Sequence, residues 1–277
     1  MLDLNLNDLI EKSLKEDVGT GDITTLSTIP ADKTITGRFI AKETGILCGT
    51  EVVRAVFAFV DPTIELNFVN RDGDKIEKGN VIATVSGLAR SILTGERLAL
   101  NLLQHMSGVA TRTSEAVEKV KGTKARIADT RKTTPGLRVL EKYAVKCGGG
   151  SNHRFNLADG VLIKDNHIEA AGGITAAVEM ARRNIPHTLK IEVEIETIEQ
   201  LNEALAAGAD IIMLDNMSNE DMKKAVEIVA GRAITEASGN MGEKDLRAVA
   251  ETGVDIISIG ALTHSVKALD ISLKFKF

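Results

Sequence analysis

Residues Leu189-Lys190-Ile191-Glu192-Val193-Glu194-Ile195 alternate apolar and charged side chains along their whole length. Alternation with a period of two marks a β-strand with unlike faces, here Ile191, Val193 and Ile195 against Lys190, Glu192 and Glu194. A strand of a doubly wound parallel sheet is covered by helices on both sides and is apolar on both. In a barrel the helices cover only the outside. An inner face can then carry carboxylates, provided that cations, a metal or hydroxyl groups meet them there.

Outward from this strand one unit recurs: a short apolar strand, a polar or charged residue at its end, then an amphipathic helix. Strands are expected at 125–129, 160–164, 189–195, 210–214, 233–237 and 255–259. Helices are expected at 174–183, 198–207, 220–229 and 244–251, most of them preceded by Thr, Ser or Asn as a cap. Such alternation implies parallel pairing through right-handed crossovers. A closed eight-fold barrel takes about 250 residues and this region has about 150. The expected fold is therefore α/β, an incomplete (open) TIM-like barrel of six or so strands, with a doubly wound sheet as the competing architecture.

The preceding part reads as an α+β sandwich domain. Strands are expected at 33–42, 63–70 and 81–87, a helix at 50–59, and a turn at 71–79. A helix from 95 to about 120, bent at Gly108, connects the two parts. The final alternation of Leu273, Phe275 and Phe277 with Lys274 and Lys276 reads as an edge strand. The division is thus 1–110 for the sandwich, joined by the strand at 270–277, and 111–269 for the barrel carrying the active site.

The chain has 277 residues and a net charge of −5, no Trp, and Tyr143 as its only tyrosine. Stacking platforms and basic surface for nucleic acid are both lacking. No apolar run approaches the roughly 20 residues that span a bilayer, and Asp3, Asp8 and Glu11 stand where a signal peptide carries cations. Cys48 and Cys147 have no zinc-ligand spacing and no disulfide framework, which fits a reducing compartment. A cytoplasmic enzyme with no membrane or nucleic-acid partner is expected.

Against that negative balance, Arg131, Lys132, Arg138, Lys142, Lys146, His153, Arg154 and Lys164 are gathered in one stretch with Pro135-Gly136 and Gly148-Gly149-Gly150. Cations among loop-forming residues suit a site for carboxylates or phosphates. Barrel enzymes carry function at the C-terminal ends of their strands. That rule selects Thr130, Arg131 and Lys132; Lys164; Glu194; Asp215 and Asn216; Glu236, Ser238, Gly239 and Asn240; and Gly260. The loops at Ser238-Gly239-Asn240 and Gly260-Ala261, read as preceding helices, can bring backbone amides to a phosphate, with His264 close by. Plainer readings stand beside these: loop cations at Arg131 and Lys132, pairing of Lys164 with Asp165, balance of Glu194 with Lys190, and capping by Asp215. Cys147 reads as a packing residue and His105 as a satisfied core or interface residue.

The strings Glu16-Asp17-Val18-Gly19-Thr20-Gly21-Asp22-Ile23-Thr24, Asp129-Thr130-Arg131-Lys132-Thr133-Thr134-Pro135-Gly136-Leu137-Arg138, Asn152-His153-Arg154, Lys164-Asp165-Asn166-His167, Glu192-Val193-Glu194, Leu214-Asp215-Asn216 and Glu236-Ala237-Ser238-Gly239 resemble, in order, the quinolinate phosphoribosyltransferase family. The resemblance implies a sandwich domain followed by an incomplete barrel, and a homodimer in which Arg97 of one subunit enters the partner's site. It implies transfer of phosphoribosyl from phosphoribosyl pyrophosphate to quinolinate with decarboxylation, giving nicotinate mononucleotide, pyrophosphate and carbon dioxide in NAD biosynthesis, with Mg2+. It further implies quinolinate at Arg131, His153 and Arg154, and pyrophosphate and substrate charge at Lys132 and Lys164. Ribose hydroxyls and Mg2+ fall to Glu194 and Asp215, and the 5-phosphate to Ser238, Gly239 and Gly260. A molybdenum-transport-associated paralogue, a Schiff-base aldolase using Lys164 and a phosphosugar sensor are the competing readings.

Overall fold

Leu6–Val18 (α1) buries Leu6, Ile10 and Leu14, one residue per turn, and leaves its charged side chains in water. The computed structural model describes residues 6–275 and divides into two compact units. The first comprises residues up to Ser114, Thr134–Gly149 and the segment from Val266 onward; the second comprises Glu115–Thr133 and Gly150–Ser265.

In the first unit, Ile23–Thr28 (α2) is capped by Asp22, which accepts the amide of Thr25. Thr34–Ala41 (β1), Glu65–Phe68 (β3), Val81–Leu88 (β5) and Ile271–Phe275 (β12) form an antiparallel sheet in the order β12-β1-β5-β3. Lys276 and Phe277, part of the expected edge strand, lie outside the described residues. Gly45–Ile46 (β2) pairs with Lys75–Ile76 (β4). Thr50–Val60 (α3) buries Val52, Val53, Val56 and Phe57, and the Phe57 ring meets Phe39 edge-on at 6.3 Å.

Ala89–Lys119 (α4) is one uninterrupted helix that begins earlier than the sequence suggests. Gly95, read as its start, is buried where a Cβ would crowd the Phe57 ring at 3.2 Å. Gly108, read as a bend, admits the backbone of Lys267 and Ala268 against the helix. Both glycines answer close packing and leave the helix unbroken. A second correction concerns the cationic stretch. Arg138–Cys147 (α5) is a helix of the first unit, so Arg138, Lys142 and Lys146 do not lie in loops. Lys142 is 3% exposed and Glu141 is fully buried, with His105 Nε2 at 2.8 Å from Glu141 Oε1. His105 is a satisfied packing residue, as read.

The second unit contains Arg126–Ala128 (β6), Val161–Ile163 (β7), Asp165–Ala171 (α6), Ile174–Asn184 (α7), Ile191–Ile195 (β8), Ile198–Ala206 (α8), Ile211–Asp215 (β9), Asn219–Val229 (α9), Ile234–Ser238 (β10), Leu246–Glu251 (α10), Ile256–Ser258 (β11) and Ala261–His264 (α11). All six expected strands form, and their order is β6-β11-β10-β9-β8-β7, every pair parallel. The first strand pairs with the last, and the others follow in sequence, so the row is a barrel order cut between β6 and β7. On the open side, β6 has only a bridge from Ala128 to Ser151. This is the incomplete barrel; the doubly wound alternative is excluded.

Register decides the inner face. Glu194 pairs with Met213, Met213 with Glu236 and Asp215 with Ser238, so these side chains share one side with Glu192. Val193, Ile195, Ile212, Leu214, Ala237 and Ile257 share the other side and are buried. Lys190, read as part of the charged face, lies just before β8 and is exposed. Thr197, Ser218 and Asp245 cap α8, α9 and α10 with their side chains. Among the described residues, no helix is long and apolar enough to cross a membrane.

Candidate active site

Asp129, directly after β6 and fully buried, ties two loops together. Its Oδ1 accepts the backbone amide of His153 at 2.9 Å, and its Oδ2 accepts Asn152 Nδ2 at 2.5 Å. The loop carrying Thr130, Arg131 and Lys132 is thereby fixed beside the one carrying His153 and Arg154. Burial and the neighbouring Arg131 guanidinium both push the pKa of Arg154 down, against the pull of Glu192 and Asp159. Arginine stays charged in proteins, so the repulsion leaves a half-buried cationic pair suited to a ligand with two negative groups. Arg154 Nη1 also donates to the Gly160 carbonyl at 2.9 Å, which orients the fork.

His153 is engaged from within. Its Nδ1 accepts the Arg154 amide at 2.7 Å, which puts the ring proton on Nε2, 3.2 Å from Glu192 Oε2 and 3.6 Å from Glu236 Oε1. The two carboxylates are 3% and 1% exposed. Burial first, then the charge of Glu192, raises the pKa of Glu236 to about 7, opposed by His153 and Ser258. A proton on Glu236 relieves the like-charge contact.

Lys164, after β7, reaches Glu194 of β8, with Nζ–Oε2 at 2.5 Å. Its sequence neighbour Asp165 instead bonds the Asn166 amide. Asp215 ends β9 and accepts Asn216 Nδ2 at 2.7 Å. Asn216, at φ +53°, donates its amide to the Ser238 carbonyl at 3.1 Å and packs on Gly239, where no Cβ fits. Gly239 at φ +91° and Asn240 at φ +52° continue the turn. That turn does not open a helix, as the sequence reading had it: residues 241–245 intervene, and Asp245 supplies the cap of α10. Gly260 does precede α11, a helix of four residues starting at Ala261. The Lys132 stem and the His264 ring lie over Gly260, at 3.0 and 3.2 Å from where a Cβ would stand. Thr263 Oγ1 donates to the Lys132 carbonyl at 2.6 Å, and Lys132 donates its own amide to Thr130 Oγ1 at 3.0 Å.

The residues selected from the sequence thus lie at the C-terminal ends of the strands or in the loops beside them, with one exception. Arg97 is exposed on α4 of the first unit. Asp129 was not singled out from sequence, and Glu192 and Glu236, read as an inner-face and a strand-end carboxylate, were given no partner. The signal for the last two was their inner-face position, but a partner across the barrel cannot be read from one strand.

Fold and site together define an α/β-barrel enzyme acting on anionic substrates, with cations on its first loops and carboxylates on the following strands. Comparison with known proteins narrows the class. The family model described as quinolinate phosphoribosyl transferase, C-terminal domain, matches residues 109–274, and that of the N-terminal domain matches residues 22–107. A Bacillus subtilis relative named probable nicotinate-nucleotide pyrophosphorylase (carboxylating) is 48% identical, over 98% of this chain and 93% of the relative. A chloroplastic Arabidopsis thaliana nicotinate-nucleotide pyrophosphorylase (carboxylating) is 45% identical, over 98% and 82%. The solved nicotinate-nucleotide pyrophosphorylase of Francisella tularensis superposes with a TM-score of 0.94 at 44% identity, covering 98% of this chain and 96% of that one. The chain belongs to the quinolinate phosphoribosyltransferase family.

Proposed function

We propose that the barrel mouth binds quinolinate between Arg131 and Arg154 and joins it to phosphoribosyl pyrophosphate. The chain is a decarboxylating quinolinate phosphoribosyltransferase of NAD biosynthesis: its products are nicotinate mononucleotide, pyrophosphate and carbon dioxide. The observation that carries the substrate assignment is the half-buried Arg154, fixed through Asp129 beside the loop of Arg131 and near enough to that guanidinium for its pKa to be lowered by it. Quinolinate is a planar dicarboxylate, and two forks can each take a carboxylate in bidentate geometry. His153 fixes the Arg154 backbone by accepting its amide on Nδ1.

Loss of pyrophosphate leaves positive character on the ribose C1, so rate comes from positioning and charge stabilisation. Lys132 and Lys164 offset charge on the pyrophosphate and on the substrate. Ser238, Gly239 and Asn240, with Gly260, Ala261 and His264, hold the 5-phosphate; the bare Cα of Gly239 admits Asn216 against the turn, and that of Gly260 admits the Lys132 stem and the His264 ring. Glu194 and Asp215, with Asn216, take the ribose hydroxyls. Alkylation makes the ring nitrogen cationic, and that cation stabilises the carbanion left as the adjacent carboxylate departs.

Glu194 and Asp215 sit on one face of neighbouring strands and offer hard oxygen donors, a set that fits Mg2+ held largely through water and substrate. When bound, Mg2+ neutralises charge on the leaving pyrophosphate. The working unit is a homodimer in which Arg97 enters the partner's site. The absence of a disulfide framework supports a cytoplasmic setting. Loss of quinolinate absorbance that depends on both phosphoribosyl pyrophosphate and Mg2+ tests the assignment; folded protein with no such turnover refutes it.

A further inference from the structure

Cys48 and Cys147 are the only cysteines of the chain, far apart in sequence, and both are free thiols. In the first unit their Sγ atoms lie within 4.8 Å of each other. Cys48 is fully buried and clamped by Ser107, whose hydroxyl accepts its amide at 3.0 Å and donates to its carbonyl at 3.2 Å. Cys147 is the last residue of α5 and is half-buried. Neither thiol takes part in the chemistry described above.

We propose that Cys48 and Cys147 form a site of reversible oxidation, at which hydrogen peroxide converts the two thiols into an intrachain disulfide. The Cys147 thiolate attacks one peroxide oxygen and the O–O bond breaks. The products are a Cys147 sulfenic acid and hydroxide, which takes up a proton as water. Cys48 Sγ then attacks the Cys147 sulfur, the S–O bond breaks, and hydroxide leaves with the Cys48 proton as a second water. The two sulfurs lose two electrons and the peroxide gains two. The bonded separation is about 2.0 Å, so the two side chains must turn toward each other to close the gap.

The order follows from the surroundings. The neighbouring Cys48 thiol holds the Cys147 thiol below its ordinary pKa, against burial and the charge of Asp72. Donation to Cys147 and desolvation push Cys48 far up. The attacking sulfur is therefore the more exposed and more acidic one. A metal suits the cluster less well. The third candidate ligand, Asp72, has Oδ1 taken by the amides of Gly49 and Thr50 at 3.0 and 2.9 Å and Oδ2 by the Tyr143 hydroxyl at 2.9 Å. The bond would fix the end of α5 from which the chain runs on to Asn152, His153 and Arg154.

The test uses the full chain, assayed for bound zinc as purified, then reduced, treated with hydrogen peroxide near stoichiometry and digested without reductant. The expected result is a linked peptide pair containing Cys48 and Cys147, with both thiols lost from titration of the denatured protein and both restored by dithiothreitol. In Cys48→Ala, dimedone captures a sulfenic acid on Cys147; in Cys147→Ala, Cys48 stays a thiol under the same treatment. Peptide mapping of the wild-type chain decides the matter should either variant fold poorly. Sulfinic acid on Cys147 or an intermolecular cross-link, with Cys48 still a thiol, overturns the proposal. So does one equivalent of zinc per chain that is released when the thiols are blocked, which would make the cluster a metal site.

Discussion

Asp129 Oδ1 accepts the backbone amide of His153 at 2.9 Å, so a single buried carboxylate sets the spacing between the two loops that carry Arg131 and Arg154. Asp129→Asn replaces one accepting oxygen by a donor that must face either the His153 amide or the Asn152 side chain. Leaving a buried donor unmatched costs about 1–3 kcal/mol. Urea unfolding should show that loss. Calorimetry should show quinolinate binding weakened more than phosphoribosyl pyrophosphate binding; equal weakening of both would mean that Asp129 serves only the fold.

Arg131→Lys keeps the charge and removes the fork. The bidentate contact and its match to a planar carboxylate are lost, on the order of 1.5–3 kcal/mol for a charge-assisted hydrogen bond, or about ten- to hundredfold in quinolinate affinity. Repulsion with Arg154 persists in the variant, so thermal stability should hardly change. Near-wild-type quinolinate affinity by calorimetry would count against the substrate assignment.

Glu236 links stability to pH. Its carboxyl titrates at about 7 in the folded chain against an ordinary value of 4.5, so between these values the folded state binds more protons than the unfolded one. Stability from this group is fully present below pH 4.5 and is lost as pH rises through 7, with a total on the order of a few kcal/mol. The groups facing it are Glu192, His153 and Ser258. Glu236→Gln removes the titration while keeping the shape, and should be more stable than wild type at pH 8, with a flatter profile between pH 5 and 8. Denaturant midpoints across that range check this; parallel profiles for the two proteins would place the proton elsewhere.

Gly239→Ala tests the phosphate turn. The residue stands at φ +91°, and a Cβ there would run into Asn216. Strain of this kind costs about 1–3 kcal/mol. Melting should fall, and the KM for phosphoribosyl pyrophosphate should rise more than that for quinolinate. A rise confined to quinolinate would reassign the loop.

How much of this was legible in the sequence differs from element to element. The six strands were, because alternation and strand-end polar residues survive any tertiary context, and β8 alone distinguished barrel from open sheet. Glu192 was legible as an inner-face carboxylate, but its partnership with His153 needs a loop conformation that Asp129 imposes from another strand. The helix α5 was hidden by the cations and glycines around it, although Leu140, Ala144 and Val145 carry a helical apolar face. Gly95 and Gly108 were misread because a glycine that marks close packing looks, in one dimension, like a glycine that marks a break. The meeting of Cys48 with Cys147 leaves no local trace at all.

Arg97 offers the sharpest test of the assembly. It is exposed on α4, and the proposal sends it into a neighbouring subunit, whereas Lys164 acts within its own barrel. Arg97→Ala and Lys164→Ala homodimers should each be nearly inactive. When the two variants are co-expressed, each mixed dimer has one site with both residues intact, because the Lys164→Ala subunit donates its Arg97 to the Arg97→Ala subunit. Half the dimers are mixed and half their sites are whole, so turnover should recover to about a quarter of wild type in a two-fold symmetric assembly. If Arg97 instead served its own subunit, no mixed dimer would contain an intact site, and co-expression would restore nothing.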